Sequence, residues 1–275
     1  MANSCLFNYK ITKKSFLFLN IPHSGRNYLN LFKNCSNLSM NELRKSEDAY
    51  IDLLLDNNFL RYNSLKANFP RIFVDLNRSP LELDASMWKG KFNKIFFSRT
   101  LKVESGIGVI PKVCFSGKNI YKDLFFFEEA RIRLLNYYFP YHKKIKEIIA
   151  KIKHIHDKVL VLDCHSMSSE IVDRDTDIVL SNNFGKSADL IITDKLKFFF
   201  NSYGYKVKIN TPFTGGFITK HYGKPINNVH VIQIEINKKV YFSEKNFSLK
   251  NKNFNKLKNC FSDIINYINC NNKEL

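Results

Sequence analysis

Two stretches of this sequence tolerate water on neither side. Residues 15–21, SFLFLNI, and 158–163, KVLVLD, carry apolar side chains at odd and even positions alike, so a strand built from either has to be covered on both faces. Four further runs, RIFVDL (71–76), ADLIIT (188–193), YKVKIN (205–210) and HVIQIEI (230–236), also read as strands. Between the runs lie segments of helical period. One holds Ile145, Ile148, Ile149, Ile152 and Ile155, a second Leu196, Phe199, Phe200 and Tyr203, and a third Phe254, Leu257, Phe261, Ile264, Ile265 and Ile268. Pro140 should kink or restart the first of these helices, because its ring removes a backbone donor and crowds the preceding turn. Covered strands alternating with amphipathic helices predict an α/β fold, a three-layer α/β/α arrangement around a central mixed sheet. No internal repeat and no Gly-, Pro- or Ser-rich linker divides the 275 residues. Residues 1–275 are therefore expected to form a single domain, with 246–275 a C-terminal helical extension.

The formal charge of +18 invites nucleic acid or an anionic membrane as a partner, so its distribution matters. Only 9 of the 43 basic residues are Arg, and none follows Arg174. The lysines are scattered among Asn, Ile and Phe and form no stripe that could track phosphates, which predicts a solvated surface and no nucleic-acid partner. The positive field can still speed the arrival of a small anionic substrate. Six cysteines (Cys5, Cys35, Cys114, Cys164, Cys260, Cys270) contain no CxxC pair, and MANSCLFNYKITKK lacks a basic segment followed by an apolar run. No apolar stretch approaches bilayer-spanning length. The expectation is a reducing cytoplasm, no membrane partner, and a monomer or small homo-oligomer.

Polar residues collect where several apolar runs end. His23 follows FLFLNIP; Asp75, Asn77 and Arg78 follow RIFV; Asp163 and His165 follow VLVL. In open α/β sheets this is where ligands bind. Within VIQIEIN the alternation puts Gln233 and Glu235 on one face and Ile232, Ile234 and Ile236 on the other. A carboxylate on a face built for burial needs a partner, a metal or a proton to move. Two histidines and a carboxylate with an open fourth position are the ligand set of a catalytic zinc, and His23 and His165 are the natural pair. There is no HExxH helix, so a third ligand must come from elsewhere. Asp48, in SEDAYIDLLLD, either supplies it or merely caps a helix start. Asp163 likewise reads either as the acceptor that fixes the His165 tautomer or as a strand-end turn former. Ser24 and Ser166 lack a GxSxG elbow, Cys164 points to the opposite strand face, and His142, His154 and His156 read as structural or surface residues.

Eight pieces, taken in order, resemble the N-formylglutamate amidohydrolases, distant relatives of the zinc carboxypeptidases and aspartoacylases. They are IPHSG (21–25), EDAYIDLL (47–54), FVDLNRSP (73–80), GIGVIP (106–111), RLLNYYFPYH (133–142), LDCHSM (162–167), FTGGFITKHYGKP (213–225) and VIQIEINKKVYFSE (231–244). The chain departs from the family's usual pattern in its lysine- and asparagine-rich bias, in some Arg and Trp positions and in the helix after residue 245.

The resemblance implies a zinc-carboxypeptidase-like fold with one Zn2+ per chain, held by His23, Asp48 and His165, and Asp163 behind His165. It implies that Asn77 and Arg78 grip the substrate carboxylate, with Arg133 on a second one, a task for which the Arg fork suits and Lys does not. Glu235 would be the general base, and Gly215 and Gly216 would form a tight loop beside the pocket. The implied substrate is a small anionic N-acyl amino acid, N-formyl-L-glutamate, cleaved to formate and L-glutamate. A related acylase acting on another N-acyl acidic amino acid is the alternative within the enzyme class.

Overall fold

SFLFLNI and KVLVLD become neighbouring strands in the interior of a seven-stranded sheet. The computed structural model describes residues 6–28, 32, 35–91 and 97–271; Cys5 and the last four residues of the expected C-terminal extension lie outside them. In chain order the strands are β1 (Phe7–Lys10), β2 (Leu17–Ile21), β3 (Asn63–Ala67), β4 (Trp88–Lys89), β5 (Phe125–Phe126), β6 (Val159–Met167), β7 (Ile178–Ser181), β8 (Val207–Ile209), β9 (Val229–Asn237), β10 (Phe242–Ser243) and β11 (Ser248–Leu249). The α-helices are α1 (Met40–Arg44), α2 (Ile51–Leu54), α3 (Asp56–Phe59), α4 (Leu101–Glu104), α5 (Phe127–Arg133), α6 (Phe139–His156), α7 (Leu190–Ser202), α8 (Phe217–Tyr222) and α9 (Asn251–Cys270). The sheet order is β1-β3-β2-β6-β9-β7-β8. Strands β3, β2, β6 and β9 run parallel, and β7 lies antiparallel to β9, so the sheet is mixed and the fold is α/β. Every residue of β2 and β6 is buried, as runs without alternation require.

The chain folds as two compact units, each assembled from separated segments. One gathers the described residues through Asn8, His23–Glu47 and Ala67–Ile145; the other gathers Tyr9–Pro22, Asp48–Lys66 and the described residues from Lys146 onward. The second unit holds the body of the sheet and α9. The apolar stripe of α9, from Phe254 through Leu257, Phe261, Ile264 and Ile265 to Ile268, is buried, with Phe261 5.3 Å from the Phe200 ring of α7. Polar bonds dock the same helix to the α3 region: Tyr62 Oη donates to Asn266 Oδ1 (2.9 Å) and Asn58 Nδ2 to Ser262 Oγ (3.2 Å). In the first unit, Ser39 and Glu42 form a reciprocal capping box at the start of α1. Residues Leu134–Tyr138 form a π-helical turn ahead of α6, with the Phe139 N–H reaching Leu134 O, so the helix is reset immediately before Pro140.

Two predicted strands are not strands. RIFVDL is a series of turns: Phe73 N–H bonds Pro70 O (3.0 Å), and Asp75 turns its own carboxylate onto the Asn77 N–H (2.8 Å). Its apolar residues are buried in a loop, which an apolar run cannot distinguish from a buried strand. ADLIIT opens α7, with Asp189 at the N-cap position in extended conformation. Leu190 and Ile191 are 61% and 66% exposed while Ile192, Leu196 and Phe200 are buried, so the helical period of the following KLKFFF overrides the β-branched start. Strands β1, β3 and β7 were not expected: β3, NSLKA, is half polar, and β7 is only four residues long.

Candidate active site

In the second unit, the parallel register fixes the geometry. Asn20 on β2, Asp163 on β6, Gln233 on β9 and Ser181 on β7 are successive cross-strand partners, and one pleat further along β6 His165 is paired with Glu235. Asn20 Nδ2 donates to Asp163 Oδ1 at 2.7 Å, and Asp163 Oδ2 lies 3.1 Å from His165 Nε2. The other ring nitrogen, Nδ1, lies 2.8 Å from Asp48 Oδ2. Asp48 therefore reaches a histidine 117 residues away; Tyr50 occupies the N-cap position of α2, with no side-chain cap bond. Burial opposes a charged imidazole here, yet the carboxylates of Asp163, Asp48 and Glu235 together hold the His165 pKa well above its ordinary value. Glu235 is less buried than its β9 neighbours, and its Oε1 accepts from Gln233 Nε2 at 2.7 Å. Cys164 is buried between these residues, its thiol pushed up by burial, as expected of a packing residue.

In the first unit, His23 Nε2 lies 2.9 Å from Asp75 Oδ1. Asp75 Oδ2 accepts from Arg71 Nη2 at 2.8 Å. Burial raises the Asp75 pKa, but the charges of Arg71, His23 and Arg78 outweigh it and hold the carboxyl well below its usual range. Each histidine thus sets Nε2 against a buried carboxylate, Asp75 or Asp163, which orients the ring and turns Nδ1 the other way; on His165 that Nδ1 carries a proton toward Asp48. The sequence reading singled out Asp75 but gave it no role; the signal was the repetition of the His/Asp pairing, once in PHSG with VDLN and once in DCH. The tight PHSG turn depends on Gly25, where a Cβ would sit 2.2 Å from Phe69 O.

Arg78 and Arg133 are held differently. Arg78 Nε donates to Ile107 O (2.9 Å) and Nη1 to Asn77 O (3.1 Å), while Nη2 makes no hydrogen bond among the described residues. Tyr138 Oη donates to Arg78 O (2.8 Å), and His142, 4.1 Å from the Tyr138 ring, sets Nε2 3.0 Å from Leu76 O. Arg133 is buried over the Phe73 ring (4.2 Å), with Nε on Glu129 (2.8 Å) and Nη1 on the Tyr121 hydroxyl (2.6 Å). His154 is exposed and His156 faces Lys13 O. Among the described residues no helix is long and apolar enough to cross a membrane.

Comparison with known proteins identifies the family. The family model of the N-formylglutamate amidohydrolases matches residues 15–242. A protein named N-formylglutamate deformylase from Pseudomonas aeruginosa is 30% identical over 190 residues, spanning 66% of this chain and 65% of its own length. A second of that name, from Pseudomonas putida, is 26% identical over 238 residues, covering 83% of this chain and 82% of the relative. The crystal structure of N-formylglutamate amidohydrolase from Ralstonia eutropha JMP134 superposes with a TM-score of 0.88 over 96% of this chain and 97% of that one, at 23% identity. Fold and relatives place the chain among the hydrolases. Within them it belongs to the N-formylglutamate amidohydrolase family.

Proposed function

We propose that this chain is a zinc-dependent enzyme that hydrolyses the N-formyl amide of N-formyl-L-glutamate to formate and L-glutamate. The observation that carries the reading is the setting of His165, an imidazole with a carboxylate on each ring nitrogen and Glu235 beside it in the sheet register. So much buried negative charge around one imidazole suits a divalent cation. His23, Asp48 and His165 are three buried donors of the types zinc prefers, and they could hold a metal ion. The residues present therefore fit the group: His23 and His165 would ligate through Nδ1, the nitrogen opposite Asp75 and Asp163, with Asp48 as the carboxylate ligand. When bound, zinc supplies a water acidified to near neutral pKa and a Lewis acid for the formyl carbonyl.

The chain's own residues do the rest. Glu235 takes a proton from water as its oxygen attacks the formyl carbon, and delivers it to the nitrogen as the C–N bond breaks. Arg78, oriented by Ile107 O and Asn77 O, presents its remaining donors to the substrate α-carboxylate, with Asn77 beside it. Arg133 would meet the second carboxylate of a glutamyl substrate. The names of the relatives support this choice of acyl group and amino acid. On this reading the protein works in the cytoplasm on small anions, as a monomer or small homo-oligomer.

The test is formate release from N-formyl-L-glutamate by zinc-loaded protein, with and without chelator, beside N-acetyl-L-aspartate and N-succinyl-L-glutamate. Chelator-sensitive formate is the expected result. Turnover unchanged by full zinc removal overturns the metal assignment, and cleavage of another substrate in preference overturns the substrate.

A further inference from the structure

Gln233 stands between two parts of the site and can face only one way. Its Oε1 accepts the Gly216 N–H at 2.7 Å and the Thr219 hydroxyl at 3.4 Å; its Nε2 donates to Glu235 Oε1 at 2.7 Å. A backbone N–H can only donate, so the end of the amide that meets Gly216 must be the oxygen, and the NH2 end must face Glu235. The Gly216 donor is itself fixed in place. Gly215 has φ +111°, and a Cβ there would meet Thr219 Cγ2 at 2.6 Å, so the loop is pinned against the first turn of α8. Gln233 is 4% exposed, and across the sheet it pairs with Asp163 on one side and Ser181 on the other, so turning the amide away from Gly216 and Glu235 would strand its hydrogen-bonding groups out of water.

We infer that Gln233 is a positioning residue for the reaction: its Nε2–H, held on Oε1 of Glu235, fixes the orientation of the carboxylate that moves the catalytic proton. The inference rests on Glu235 being the general base of the proposed hydrolysis. Gln233 does not touch the reacting atoms; it fixes the plane and rotamer of the carboxylate that does. The anchor extends from the GG turn through the amide to the base, so the geometry of a loop is transmitted to the carboxylate.

Gln233→Met tests this, because a methionine at 233 keeps the length of the side chain but offers no donor to Glu235, whereas a glutamate there would share a proton with Glu235 at 2.7 Å and still donate. The expected outcome is a kcat lowered about tenfold to a hundredfold, the range of one hydrogen bond to a charged group, with KM within about twofold of the parent and unchanged zinc content. A kcat within twofold of the parent overturns the inference. A second readout does not depend on turnover. In 15N-labelled protein the two Gln233 side-chain amide protons should be widely separated and one of them slow to exchange, and Glu235→Ala should abolish both features. If the parent protein releases no formate, the substrate reading falls while these resonances still decide the placement of Gln233: separation lost in Glu235→Ala upholds it, and indifference to that variant overturns it.

Discussion

Replacing Asp75 with Asn alters one atom and one charge while leaving the side-chain volume unchanged. The carboxylate now serves three donors or partners: Oδ1 accepts the Asn77 N–H (2.8 Å) and faces His23 Nε2 (2.9 Å), and Oδ2 accepts from Arg71 (2.8 Å). An amide offers one oxygen. Whichever way it is placed, its NH2 group meets a donor, Arg71 in one orientation and the Asn77 N–H in the other, so at least one hydrogen bond is lost and one buried donor is left facing another. Breaking a buried ion pair costs about 3–5 kcal/mol, and Arg71, 25% exposed, recovers part of its loss from water, which puts Asp75→Asn at about 3 kcal/mol. Urea unfolding followed by circular dichroism measures this as a lower midpoint at constant slope. The same substitution frees the His23 ring to change tautomer, for which about a tenfold to hundredfold loss of zinc affinity is expected, or about 1.4–2.7 kcal/mol. A variant within about 0.5 kcal/mol of the parent that binds zinc equally well would refute the argument, because it would mean that neither the charge nor the orientation of Asp75 matters.

Three other outcomes follow from the geometry. Gly25→Ala forces a methyl to within 2.2 Å of Phe69 O, in a segment held by Asn27 N–H to Asn68 O (2.9 Å), and should destabilise by about 2–4 kcal/mol in the same unfolding assay; parity with the parent would show that the PHSG turn can shift. Phe261→Ala removes a fully buried ring from the α7–α9 contact and should cost about 3–5 kcal/mol, with a loss below 1 kcal/mol counting against α9 as part of the core. The half-buried Glu42 is held to about 2 by its hydrogen bonds to Lys118 and Ser39. Its folded pKa is depressed, so the pairing contributes above the unfolded carboxylate range and is lost as pH falls toward 2; Lys118→Met should return the NMR titration midpoint toward ordinary carboxylate values, and an unmoved midpoint would contradict the assignment.

The strands that carry the site were legible because their periodicity is local. A run without alternation marked β2 and β6, and strict alternation in VIQIEIN placed Gln233 and Glu235 on one face before any coordinates. The helix α9 declared itself through six apolar positions at helical spacing, all of them buried. What sequence alone left open was partnership across distance. Asp48 sits in a segment that reads equally well as a helix start, and nothing near it in the chain announces a histidine 117 residues away. The role of Asp75 was hidden by the same limitation, because the apolar run before it looked like a strand and gave no sign that the carboxylate folds back on its own turn and faces a histidine 52 residues away. The two-unit organisation was equally invisible, since each unit is stitched from segments that are far apart in the chain.

The row of Asn20, Asp163, Gln233 and Ser181 also governs how the sheet can assemble. Strands as uniformly apolar as β2 and β6 are poor at choosing an alignment, because Leu opposite Val is nearly as good as Leu opposite Leu. A slip of β6 by one residue against β2 would set the Asp163 carboxylate opposite Leu19 or Ile21, unpaired in the sheet interior, at a cost of several kcal/mol. The row therefore penalises a one-residue slip and favours the native alignment. The same polar row that lies beside the candidate site thus also marks where uniformly apolar strands stop sliding.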